Sequence, residues 1–238
     1  MNLPFNKEQF LDVFQTYNNS VFPAQIIFYV IALFAIFLAV KKYKYSDNII
    51  TLSLAFFWLW MGVVYHIIYF SVINKAAYIF GILYIIQSLL FLYYGLYKKV
   101  NPSLTFGEGS LPAAGRGGVL SFRYQRGLHG YTGSILMLYA LIIYPAIGYL
   151  AGHVYPKAPA FGLPCPTTIF TFGMLLWTEK HLPVTLIIIP VIWSIIGFLA
   201  ALYLGIYEDT GLLASGLIAS ILLLSKTKLH KKSALAVN

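Results

Sequence analysis

Five side chains hold most of the chemical potential of this sequence: His66, His153, Cys165, Glu208 and Asp209. Two imidazoles, a thiol and two adjacent carboxylates are the donor types that bind a divalent metal, and the histidines and thiol could also ligate a haem iron. No two of them stand at the local spacing of a known metal motif, so the fold would have to bring them together. Cys165 has a second feature. Pro166 follows it at a favoured first helical position, with Thr167 and Thr168 next, so this stretch opens a helix. A helix N-terminus presents free backbone donors and a partial positive charge, which suits an anion. Blander readings stand beside these. His66 could be a hydrogen-bonded packing residue and Cys165 an inert buried thiol, and His153 with the Glu208-Asp209 turn could be interfacial caps.

The elements that must position these residues are apolar helices. Of 238 residues, 60% are hydrophobic and only 10% charged, too few charges to coat a water-facing surface. Seven apolar runs, at about 22–40, 49–73, 76–97, 130–152, 166–177, 182–206 and 210–225, contain no Lys, Arg, Asp or Glu. The fold class is therefore an all-α integral membrane protein, one membrane domain over 1–238 with seven transmembrane helices. The formal charge of +9 is spread in short clusters between the runs. That pattern suits anionic lipid on the cytoplasmic side and not nucleic acid. One cysteine precludes an intrachain disulfide.

Alternating the connections between two sides places thirteen of the sixteen Lys and Arg on one of them, which puts the N-terminus outside and the C-terminus in the cytoplasm. Omitting the fifth run would move Lys180 and the basic tail across and weaken that bias. Yet the fifth run, at about twelve residues, is short of the roughly twenty a crossing requires. With Trp177 at the inner boundary, Cys165 lies only about 18 Å up, and the proline-rich stretch from Gly152 to Pro166 must descend to meet it. Non-helical backbone at that depth has to be buried in protein or line a cavity. His66, about 26 Å up its own helix, lies inside the outer boundary.

Other features concern assembly. Residues 6–19 predict a short interfacial helix, with Asn6 and Gln9 as a capping box and Phe5 and Phe10 as a staple. Small residues spaced by four, Gly148 and Gly152, then Gly197, Ala201 and Gly205, then Gly211, Ser215 and Ala219, predict close helix packing or a homo-oligomer contact. Pro145 and Pro190 favour kinks. The connection 98–129 reads as a cytoplasmic Gly-rich loop, lacking the Gly-Lys-Ser/Thr ending of a phosphate loop, whose end, Val119 to Arg126, rests on the anionic inner surface.

Pro4, Phe5, Gln9, Phe10 and Phe14, then Tyr65-His66, then Gly152-His153-x-Tyr155-Pro156 and Pro164-Cys165-Pro166-Thr167-Thr168 with Phe172-Gly173 give the chain a family likeness. It resembles an uncharacterised bacterial family of small multi-spanning membrane proteins known as a domain of unknown function. The resemblance implies an inner-membrane location and supplies no activity. A retinal protein would need a lysine in the last helix, and ceramidase-type hydrolases a histidine pair there; neither is present. Three functions compete: binding or transport of a small ion or anionic molecule through an outward-facing polar cavity, a metal- or haem-dependent membrane enzyme, and a structural or sensory partner.

Overall fold

The computed structural model describes residues 4–98, 119–179 and 182–235. Among them are eight helices and no strand: α1 (Lys7–Val21), α2 (Ala24–Lys41), α3 (Ser46–Val72), α4 (Ala77–Tyr97), α5 (Leu128–Leu150), α6 (Pro164–Leu176), α7 (Thr185–Leu204) and α8 (Thr210–Leu235). Six segments, the helices α2, α3, α4, α5 and α7 and the stretch Tyr207–Ser225, are long and apolar enough to cross a bilayer. Six of the seven runs read from the sequence as spanning helices thus reach spanning length among the described residues. The fifth run forms α6, whose 13 residues extend about 20 Å, well short of a hydrocarbon layer of about 30 Å. Every residue of α6 is buried except the partly buried Cys165. It is a central post, packed against α5, α7 and α8 with no face left for lipid.

The helices start, bend and stop for identifiable reasons. At the head of α1, the Asn6 side chain accepts from the Gln9 N–H and the Gln9 side chain accepts from the Asn6 N–H, both at 2.9 Å. Phe5 stacks on Phe10 with ring centroids 5.7 Å apart. Pro145 has no N–H and crowds the preceding turn, and α5 widens into a π-helical turn at Tyr139–Ile143 just before it. Pro190 leaves the Leu186 carbonyl without its helical donor. Gln87 of α4 donates to that oxygen at 3.1 Å, so a helix defect becomes a contact between helices.

Two residues in the small-residue stripes are terminators and not packing sites. Gly152 (φ +87°), just past α5, and Gly205 (φ +66°), capping α7, adopt the left-handed conformation that glycine tolerates, and both face open space. The others do face neighbours. A Cβ on Gly197 would lie 2.7 Å from Leu212, one on Gly211 would overlap the Tyr139 ring, and one on Gly148 would lie 3.2 Å from Glu208 Oε1. Ala201, Ser215 and Ala219 are buried. The tightest backbone crossings use solitary glycines: Gly62 of α3 against Gly81 of α4, and Gly133 of α5 against Gly173 of α6.

At the end of the bundle opposite α1, the segment following the long connection is partly embedded in the bundle, with Arg123, Gln125 and Arg126 exposed. Leu120 and Phe122 are buried in the core. The Arg123 N–H donates to Trp177 O at 2.7 Å and the Tyr124 N–H to Ala39 O at 3.1 Å. Asp47 accepts from Lys42 Nζ at 2.6 Å and from the Phe122 N–H at 2.7 Å, while Ser121 donates to Glu179 at 2.7 Å. These bonds satisfy an extended backbone that would otherwise be buried unpaired. The loop glycines Gly107, Gly109, Gly115, Gly117 and Gly118, and Lys180, lie outside the described residues.

Candidate functional site

The N-terminal end of α6 lies beneath α1, and the irregular stretch between α5 and α6 is held there by α1 itself. Asn18 donates to Pro156 O at 2.7 Å and Ala158 O at 2.9 Å. Tyr17 donates to Gly162 O at 3.2 Å and accepts from Trp60 Nε1 at 2.9 Å. Burial pushes the Tyr17 phenol up, so it remains a neutral donor at physiological pH. The non-helical backbone is thus buried in protein, as its depth in an apolar bundle demands.

The helix end itself does not form the expected anion cradle. Of its first four residues, Pro164 and Pro166 carry no N–H, and the Thr167 N–H already donates to Leu163 O at 3.3 Å. The threonines are also committed. Thr167 Oγ1 accepts from the Gly162 N–H at 3.2 Å, and Thr168 Oγ1 donates to Pro164 O at 2.7 Å. Only the Cys165 N–H remains of the donor set that such an end usually offers, which is a poor grip for an anion.

The five candidate residues separate into three groups. His153 Nδ1 is 2.7 Å from Glu208 Oε1, with both side chains buried. Gly148 makes this possible, since its missing side chain leaves room for the carboxyl against α5. Asp209 forms a second group: it accepts from the Tyr144 hydroxyl at 2.5 Å and has the Cys165 side chain beside it. His66 is alone, fully buried in a π-helical stretch of α3, with neither ring nitrogen hydrogen-bonded. The rings of Tyr65, Phe70, Phe80, Tyr84 and Trp193 surround it at centroid distances of 4.8 to 6.0 Å. Among the described residues, no three His, Cys, Asp or Glu side chains converge as a metal site would require. The five residues suggested as one cluster are therefore not brought together as a metal site among the described residues.

Between α1 and these groups lies a cavity of about 300 Å³, at the small end of the usual range for ligand pockets. Phe5, just ahead of α1, and Phe10 and Phe14 of α1 roof it, and Tyr65, Phe70, Phe80 and Trp193 form its walls. Asn74, Cys165, Asp209 and the tyrosines Tyr65, Tyr144 and Tyr203 are the polar side chains of its lining. Its exposed lining residues are Leu199 and Tyr203 of α7 and Pro4 ahead of α1. His66, His153, Glu208, Thr167 and Thr168 do not line it, and neither does any Lys or Arg among the described residues. The lining is thus aromatic and aliphatic with one carboxyl, in contrast to the polar cavity read from the sequence. Tyr144, Phe70, Phe80 and Trp193 were missed there, because aromatic residues inside apolar runs look like ordinary core. The one available signal was at Tyr144, which immediately precedes the in-helix Pro145.

Six apolar segments long enough to span, a buried short helix and a cavity at its N-terminal end define an all-helical, multi-pass membrane protein. The chain belongs to a family of unknown function, DUF6064, whose model matches residues 7–107 and 118–234. No curated protein and no solved structure matches it.

Proposed function

We propose that this protein binds a small hydrophobic or amphiphilic molecule drawn from the lipid phase, either to carry it across the membrane or to sense it. The observation behind this reading is the lining of the cavity: rings on the roof and walls, few polar side chains with a single carboxyl among them, and an opening that includes two exposed residues of α7. In a bilayer, such a mouth faces acyl chains and not water, so an apolar ligand enters without crossing an aqueous phase. A small anion fits the lining less well, because it would meet a carboxyl, no cation and a helix end stripped of donors by two prolines. The lysine and arginine bias supports placing the α1 end of the bundle outside a bacterial inner membrane.

The test uses the full chain in lipid nanodiscs, titrated with the neutral fluorophore N-phenyl-1-naphthylamine and compared with empty discs. Saturable binding is expected. It should weaken by about tenfold or more when Ala200→Trp fills the cavity, since a ring in that volume leaves no room for a second. Equal binding by the two proteins, or none above the empty discs, removes the reading.

A further inference from the structure

Glu208 and Asp209 are neighbours in one turn, both buried, yet their surroundings differ. Glu208 is matched by the His153 imidazole at 2.7 Å. Asp209 accepts from one neutral donor, the Tyr144 hydroxyl, lies beside the neutral Cys165 side chain, and makes no ion pair among the described residues. A carboxylate in an apolar bundle is costly to leave without a counter-charge. No side chain supplies one here, and the open side of Asp209 is the cavity.

The rest of the cavity is arranged as a cation would require. The faces of Phe, Tyr and Trp rings are the negative ends of their quadrupoles and attract ammonium groups, most strongly where water is excluded. Tyr65, only 3% exposed, lines the cavity, and its hydroxyl has no hydrogen-bond partner among the described residues, so it is free to bond a ligand. Trp193 adds an indole beside the Cys165 sulfur.

Resting on the reading of the cavity as a ligand site, we propose that its ligand is a lipophilic monocation, an amine or quaternary ammonium. Asp209 provides the counter-charge, the rings of Tyr65, Trp193, Phe10 and Phe14 surround the head group, and the apolar tail leaves beside Leu199 and Tyr203. A cation of this kind partitions into the bilayer surface, next to the mouth of the cavity. The occupant then supplies the charge partner that the protein lacks.

Three probes with the same tail test this in nanodiscs holding the full chain: decyltrimethylammonium, decanol and decanoate, each corrected for uptake by empty discs. The ammonium is expected to bind about tenfold or more tighter than the alcohol, and the carboxylate weakest. Asp209→Asn keeps the shape and a hydrogen-bond acceptor. It should erase the preference for the cation over the alcohol. If Asp209→Asn does not fold, the ranking on the unaltered protein decides. Decanol or decanoate binding as tightly as the ammonium overturns the cation assignment and leaves the cavity reading intact. Failure of all three probes, like failure of the neutral fluorophore, overturns both.

Discussion

Replacing His153 with Ala should be among the most damaging single changes in the bundle. Glu208 is fully buried, and its Oε1 lies 2.7 Å from His153 Nδ1 while its Oε2 has no partner. The nearby Tyr139 hydroxyl offers no substitute, because it donates to the Glu208 main-chain carbonyl at 2.8 Å. Removing the imidazole therefore strands a buried carboxylate, at a cost of about 3–5 kcal/mol. At about 2–4 °C per kcal/mol for a chain of this size, the apparent Tm should fall by roughly 6–20 °C. Tryptophan fluorescence during heating in detergent would report it. The double variant His153→Ala/Glu208→Leu removes both partners and should recover most of the loss, since apolar replacement of a whole buried pair is close to neutral. A single variant within about 2 °C of the parent would show that Glu208 needs no partner, and a double variant no better than the single would show that the loss has another cause; either result refutes the reasoning.

Gly173→Ala in α6 should cost about 1–3 kcal/mol, because its Cβ would lie 2.8 Å from Gly133 O and must force the two helices apart. The double variant Gly133→Ala/Gly173→Ala should cost less than the sum of the two singles in the same thermal assay, since the first separation makes room for the second. Gln87→Leu should lower stability by about 1–3 kcal/mol, measured by chemical denaturation, by leaving the Leu186 carbonyl opposite Pro190 without a donor. Asp47→Ala should expose Arg123 to trypsin and speed cleavage there by about tenfold, as the segment holding Phe122 loses the carboxylate shared by Lys42 and the Phe122 N–H.

The helices were legible because lipid imposes a coarse rule: apolar runs of spanning length need internal hydrogen bonds, and almost nothing else satisfies them. The capping box at Asn6 and Gln9 was legible for a similar reason, being a local arrangement of neighbours in sequence. What could not be read was which side chains meet. His153 and Glu208 are 55 residues apart, and nothing in either segment distinguishes a partner from an interfacial cap. The glycine stripes misled at Gly152 and Gly205, since a spacing of four describes a helix face only while the chain is still helical. At Leu120 and Phe122, apolar residues between basic ones suggested a membrane-surface segment. Their burial depends on Asp47 and Glu179, from two distant segments, meeting the backbone there.

A helix with no lipid-facing side raises a question of biogenesis. Insertion machinery sorts segments by how well each dissolves in lipid on its own, and the 13 residues of α6 are too few to reach across. Its residence depends on the helices that follow it, so α6 should enter only when α7 and α8 emerge to enclose it. A nascent chain stopped after Thr178 should leave Cys165 open to a water-soluble maleimide, whereas one extended through Ser225 should shield it.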